Sequence, residues 1–147
     1  MKMTGMIAMF VGSFIVQYFV MSSIMVNNLQ YNTNNLGKAY LSVFMGLFMV
    51  FIEAALHDHQ YHVFSLKTYI VLAIGLALFV YLYRNQVAIY DKEYLKGMIE
   101  HHSMALLTSE EILKKTDNYD VAKLAKNIIQ TQKDEMREME GLVKKIQ

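Results

Sequence analysis

Apolar residues fall into three long runs in the first part of the chain and recur at three- and four-residue steps in the remainder. The first run, residues 3–26, contains no charged side chain. It exceeds the roughly 20 residues a helix needs to cross a bilayer. The second run, 39–56, is interrupted only by Glu53. The third, 66–84, ends in Tyr81-Leu82-Tyr83-Arg84, an aromatic and cationic ending suited to a membrane interface. Its uncharged core, 68–83, is short, and it spans if Lys67 snorkels. Between the first two runs, residues 27–38 are rich in Asn, whose side chain competes for backbone hydrogen bonds and favours turns. Lys2 ahead of the first run would also suit a signal peptide. The run is long for that and lacks a clear small-residue cleavage site, which favours a retained span.

Beyond residue 86 the period becomes that of an amphipathic helix, with Leu95, Met98, Ile99, Ala105, Leu106, Ile112 and Leu113 on one face. Lys114-Lys115-Thr116-Asp117-Asn118 marks its end. A second helix is expected from about Tyr119 to Ile146. Its seam would be Val121, Leu124, Ala125, Ile128, Gln132, Glu135, Met136, Met139, Leu142 and Ile146. The short connection makes the two helices antiparallel neighbours. No Pro or Gly lies between Gly75 and Gly97, so the third span is expected to run unbroken into the hairpin. The chain therefore reads as all-α, with a transmembrane domain over 1–86 and an extramembrane helical hairpin over 87–147. One hairpin has little core of its own. Two copies would complete a four-helix bundle, which predicts a homodimer or a higher symmetric homo-oligomer.

Charge sharpens the division. Residues 1–90 hold only Lys2, Lys38, Lys67, Arg84, Glu53 and Asp58, so the net charge of +1 averages a nearly neutral half and a balanced, charged half. No basic patch suggests nucleic acid as a partner. The absence of Cys excludes disulfides and thiolate metal sites. No nucleophile–base pair, phosphate loop or zinc-protease motif is present, so no enzymatic activity is expected. Lys38, Arg84, Lys92 and Lys96 would share one side of the membrane and Lys2 and Lys67 the other. By charge alone this puts the hairpin inside.

Candidate chemistry concentrates in the hairpin. Met98, His101 and His102 share a helix face. Folding the chain about residue 117 brings Glu135, Met136 and Met139 within reach. Thioether with imidazole, and no thiolate, suits Cu(I), or Ag(I), far better than Mg or Ca. Met104, one turn after His101, could contribute. Packing is the competing explanation for the Met residues, because Met fills apolar seams readily. A second cluster, His57, His59 and His62, follows Glu53, and Glu53 with His57 forms a carboxylate–imidazole face one helical turn apart.

The stretch Met98-Ile99-Glu100-His101-His102-Ser103-Met104-Ala105, followed by Gln132-Lys133-Asp134-Glu135-Met136-Arg137-Glu138-Met139, resembles the domain of unknown function 305 family. That family is a ferritin-like helical group, and the resemblance covers about residues 90–146. Glu100 stands where the family's usual Pro would be. The Met-rich first run, the Asn-rich loop and the second run containing Glu53 are similar to membrane-anchored members. The resemblance implies copper binding and resistance, and an extracytoplasmic hairpin; the expected location is an integral membrane one, the inner membrane if the source is a bacterium. The Lys-rich second loop of such members is here His57-Asp58-His59-Gln60-Tyr61-His62. The expected function is thus an integral membrane protein that binds Cu(I) for tolerance or delivery. A structural adaptor whose hairpin oligomerises or docks a partner is the alternative. A small transporter subunit using Glu53 and His57 is a third.

Overall fold

The computed structural model describes residues 3–146, and among these the regular elements are all helices, with no strand. Helix α1 (Met3–Ile15) passes through a π-helical segment, Val16–Met21, into a short α2 (Ser22–Met25). A 3₁₀ turn at Leu29–Tyr31 precedes α3 (Leu36–Tyr61) and α4 (Leu66–Arg84). The hairpin helices are α5 (Asp91–Leu113) and α6 (Tyr119–Lys145). Lys2 lies outside the described residues, as does Gln147. Three helical stretches, Met3–Met25, Leu36–Tyr61 and Leu66–Arg84, are long and apolar enough to cross a membrane.

The chain forms two compact units. The first comprises the first helix up to Met21 together with Gly37–Ala88. Its centre is a stripe on α3 in which Lys38, Ser42, Gly46, Val50 and Ala54 are all buried at four-residue steps. Three of these are small, and small residues let helix backbones approach closely. A Cβ added to Gly46 would lie 2.8 Å from the Phe10 ring of α1, and one added to Gly75 of α4 would lie 3.2 Å from Leu47. Val50, Ala54 and Leu72 form the core, against which Met6, Met9, Phe10 and Tyr69 pack. The Lys38 ammonium sits 4.8 Å over the Tyr18 ring, a cation–π contact.

Two expectations about this unit are corrected. The second helix is longer than 39–56, because His57, Asp58 and His59 continue it to Tyr61, and the chain turns only at His62, where φ is 51°. The third helix does not run into the hairpin. It stops at Arg84, and Gln86 and Ala88 take left-handed backbone conformations, with φ of 49° and 57°. Such conformations cost about 1 kcal/mol or more at a residue with a Cβ. Side-chain amides help to terminate the helix here without Pro or Gly. Asn85 Nδ2 donates to Tyr81 O at 2.9 Å and Gln86 Nε2 to Tyr83 O at 2.6 Å. The Tyr40 hydroxyl donates to Val87 O at 2.9 Å and holds the turn.

The second unit joins Ser22–Leu36 to the chain from Ile89 onward. The Asn-rich segment, expected as a loop of the membrane domain, therefore groups with the hairpin, which itself starts at Asp91 and not 87. Asn118 caps α6, its side chain accepting from Asp120 N at 2.9 Å and Val121 N at 3.1 Å. Ile99, Leu106 and Met136 form the core, with Tyr31, Ile129, Met139 and Val143 packed around it. Leu106 is 2% exposed, and burying a Leu side chain fully stabilises by about 1.5–3 kcal/mol. The seam of α6 is rotated from the expected one. Ala125 and Met136 are buried as expected, but Val121, Leu124 and Leu142 are exposed, and Ile129 and Val143 take part in their place. Tyr31, from the Asn-rich segment, packs against the same cluster.

Candidate metal centre

The hairpin positions one imidazole with unusual care. His102 lies on α5 beside Ile99 and Leu106 and is 7% exposed. Its Nδ1 lies 2.8 Å from the carbonyl oxygen of Met98, one turn back, and its Nε2 lies 2.9 Å from Glu135 Oε2 on α6. A carbonyl oxygen only accepts, so Nδ1 carries a proton and donates it. Nε2 and the Glu135 carboxyl must then share a proton, or a metal ion in its place. An imidazole held through Nδ1 by a backbone carbonyl, with Nε2 presented outward, is how metal-binding histidines are usually oriented.

The other candidates are placed less uniformly. His101 points away, exposed, with its ring centroid 6.0 Å from that of His102 and the planes 70° apart. This follows from the turn of about 100° between successive helical residues. Met136 is 3% exposed and belongs to the apolar core, and Met139 packs against it. Met98 is partly buried one turn before His102. The register that pairs 102 with 135 also sets position 98 level with position 139, so Met98 and Met139 flank the His102–Glu135 pair by helix geometry. Gln132 on α6 supplies a further observation: its Oε1 is buried with no hydrogen-bond partner. An unsatisfied buried acceptor costs about 1–3 kcal/mol, and this one stands on α6 one turn before Glu135. Among the described residues no three His, Asp or Glu side chains converge as a metal-holding group. The donor pair the hairpin brings into contact is thus one imidazole and one carboxylate.

Sequence reasoning missed what holds α5 in place. Glu100 is 4% exposed and accepts hydrogen bonds from Thr33 N at 3.2 Å, Thr33 Oγ1 at 3.1 Å and Asn35 Nδ2 at 3.2 Å. Ser103, fully buried, accepts from Asn27 N at 3.0 Å and donates to Asn27 Oδ1 at 3.1 Å. Glu93 Oε2 accepts from Leu36 N at 2.7 Å. The signal was present: two polar residues, Glu100 and Ser103, three positions apart on a helix with apolar neighbours, and a polar Asn/Thr segment elsewhere to answer them.

The second histidine cluster is built differently. His57 pairs with Asp58, 3.2 Å from its Oδ1, and not with Glu53. Its ring lies against Tyr61 at 4.7 Å. Asp58 Oδ2 accepts from Ser65 N at 3.2 Å and from the Tyr69 hydroxyl at 3.0 Å, which fixes the turn between α3 and α4. His59 and His62 are exposed, and Glu53 makes no hydrogen bond or ion pair among the described residues. These residues make a connector, and the structure does not gather the three histidines with Glu53.

The fold and site together define an all-helical protein with three helices fit to span a membrane and a helical hairpin braced by an Asn-rich segment. Comparison with known proteins gives the family. The family described as Domain of unknown function (DUF305) matches residues 81–146. A relative named "Uncharacterized protein L153", from Acanthamoeba polyphaga mimivirus, is 30% identical over 144 residues, covering 97% of this chain and 93% of the relative. The chain belongs to the DUF305 family. No solved structure matches it.

Proposed function

We propose that this protein is a membrane-anchored binder of a soft metal ion, Cu(I) first and Ag(I) second, for tolerance or delivery. The observation that carries the reading is His102, buried, tied through Nδ1 to a backbone carbonyl and presenting Nε2 to Glu135. Glu135 and the flanking thioethers of Met98 and Met139 complete a neutral or singly charged donor set. Such a set suits a monovalent, polarisable ion better than a hard divalent one. Met136 supports the site as packing behind it, and His101 sits at its rim.

Read as spans, the three helices put the Asn-rich segment and the hairpin on one side of the membrane, since one follows the first span and the other the third. The bracing by Asn27, Thr33 and Asn35 agrees with that parity. The extracytoplasmic side follows from the family resemblance, against the charge count. The chain has no Cys, so single cysteines introduced at His59 and at Leu124 report sidedness by labelling in intact cells.

The test is anaerobic Cu(I) titration of the detergent-purified chain against a competing chelator. The His101→Ala/His102→Ala variant should bind one equivalent less than the wild type. Equal stoichiometry and affinity in both would overturn the hairpin site.

A second reading, self-association of the hairpin, is favoured by its exposed apolar residues. Tyr94, Ile112, Val121, Leu124 and Leu142 are each at least 40% exposed. A second copy would cover them as a four-helix bundle. A dimer that forms equally well with chelator and with metal would support this reading over a metal-driven assembly.

A further inference from the structure

The hairpin has a bare side, and its pattern is that of a surface that meets another pair of helices. On α5, Tyr94, Met98, His101, Ala105, Thr108 and Ile112 recur at alternating steps of four and three. On α6, Val121, Leu124, Ile128, Glu135, Glu138 and Leu142 keep the same period. This is the spacing of a coiled-coil seam. Yet Ile112, Val121, Leu124 and their neighbours on both stripes are exposed, and so are His101, Glu135 and Glu138. At about 100° per residue, each stripe stands roughly a quarter-turn from the face its helix gives to the other. Helices in a square four-helix bundle meet their two neighbours a quarter-turn apart. The Asn-rich segment leaves this side open, because it meets α5 through Glu100 and Ser103 on the far side of that helix.

Charge decides which stripe meets which. The α6 stripe carries two carboxylates, Glu135 and Glu138, whereas the α5 stripe carries His101 and no acid. Two α6 stripes face to face would set carboxylates against carboxylates. α5 against the α6 of a second copy sets imidazole against carboxylate, once on each side of a two-fold axis. The His102–Glu135 pair makes His101 level with Met136. A two-fold axis along the bundle preserves that level and brings the partner's His101 beside Glu135.

The candidate metal centre is short of such a group. Within one chain His102 meets only Glu135, and among the described residues no three His, Asp or Glu side chains converge. The chain's own His101 is turned outward, its ring plane 70° from that of His102. Adjacent imidazoles on one helix diverge, but one imidazole from each of two copies can converge.

We propose that a second copy of this chain covers the bare side, α5 against the partner's α6, and that the partner's His101 joins His102 and Glu135 in holding the metal ion. This rests on the hairpin reading above and supplies the ligand that one chain lacks. Two neutral imidazoles on one ion suit Cu(I) or Ag(I). Each pair of chains then holds two ions, at sites related by the two-fold axis.

Ag(I) is the probe, because it is redox-inert, and the full chain in detergent is the sample. His101 and Leu124 are exposed, so replacing them removes no core residue, and far-UV circular dichroism verifies that the helices persist. His101→Ala and His102→Ala should each weaken Ag(I) binding by roughly tenfold or more. Co-expressed with different tags and purified through both, the two variants should give a mixed pair that binds one ion tightly. That pair has one intact His102 opposite one intact His101. Leu124→Glu should convert dimer to monomer by light scattering and lose tight binding with every ligand still present. The proposal is overturned if His101→Ala binds as the wild type does, if no mixed pair is recovered, or if the mixed pair binds no ion tightly. It is also overturned if Leu124→Glu stays dimeric, or binds as the wild type does when monomeric. Failure of the hairpin reading itself looks different: neither histidine variant would change Ag(I) binding, and Leu124→Glu would still dissociate the dimer.

Discussion

The two histidine clusters are alike on paper and unlike in the molecule. Each puts imidazoles close together next to a carboxylate. In the hairpin, one imidazole is buried, bonded at both nitrogens, and bridges two helices through Glu135. At the α3–α4 connection, His57 serves its neighbour Asp58, Asp58 serves the turn, and His59 and His62 face outward. A helix interior fixes a side chain from two directions, by its own preceding turn and by the facing helix. A helix end and turn fix only those side chains that the turn itself needs.

The contrast breaks most decisively at His102. Replacing it with Ala should remove the hairpin equivalent of Cu(I) in chelator competition, while His59→Ala/His62→Ala should leave stoichiometry and affinity unchanged. Equal losses in both variants would erase the distinction between the clusters.

Glu100→Ala tests whether the bracing of α5 makes the difference. It removes the acceptor of Thr33 N, while Thr33 Oγ1 keeps Lys96 O and Asn35 Nδ2 keeps Thr33 Oγ1, so the loss should be about 1–3 kcal/mol, the cost of one buried donor left unsatisfied. Hydrogen exchange should show the Asn27 and Thr33 amides losing protection. Weakened metal binding should accompany it, because His102 sits two residues further along the same helix. Full protection in the variant would mean the Asn-rich segment is held by other contacts.

Asp58→Asn probes the connector. Asn keeps one acceptor oxygen and gives up the charge, so the change should cost about 1.5 kcal/mol, the low end for a hydrogen bond to a charged group. It should lower the unfolding temperature slightly and leave metal binding alone. A loss of metal with this substitution would give the second cluster a role it lacks here.

The smallest effect concerns pH. The Lys114 ammonium, hydrogen-bonded to Glu111 and adding its charge, holds that carboxyl below the usual carboxylate range. A carboxyl whose folded-state value is depressed contributes stability above its unfolded value and loses it as pH falls through the folded one. Glu111 is on the surface near the end of α5, so the contribution is slight. Unfolding curves of wild type and Glu111→Gln should converge as acid protonates the residue, and differ most at neutral pH. A gap that widened in acid would reverse the sign of this argument.

Much of this was readable in advance. The three apolar runs became Met3–Met25, Leu36–Tyr61 and Leu66–Arg84, and the period after residue 90 became an antiparallel pair of helices. The break at 85–90 was not readable from helix breakers, because no Pro or Gly marks it and Asn85 and Gln86 end the helix with side-chain bonds to carbonyls. Nor was the seam of α6, where Ile129 and Val143 replaced Leu124 and Leu142. Periodicity gives the apolar arc of a helix, and which part of that arc is covered depends on what else arrives.

The chain by itself determined element type, the number of apolar helices, the family and the residue types available for metal chemistry, because these rest on local period and composition. Tertiary structure decided which of those residues are used. It placed His102 against Glu135 and turned His101 outward, and it laid Thr33 and Asn35 on Glu100 across more than sixty positions of sequence. The reason is that a buried polar atom must find its partner wherever the fold brings one, and no local rule of spacing records that distance.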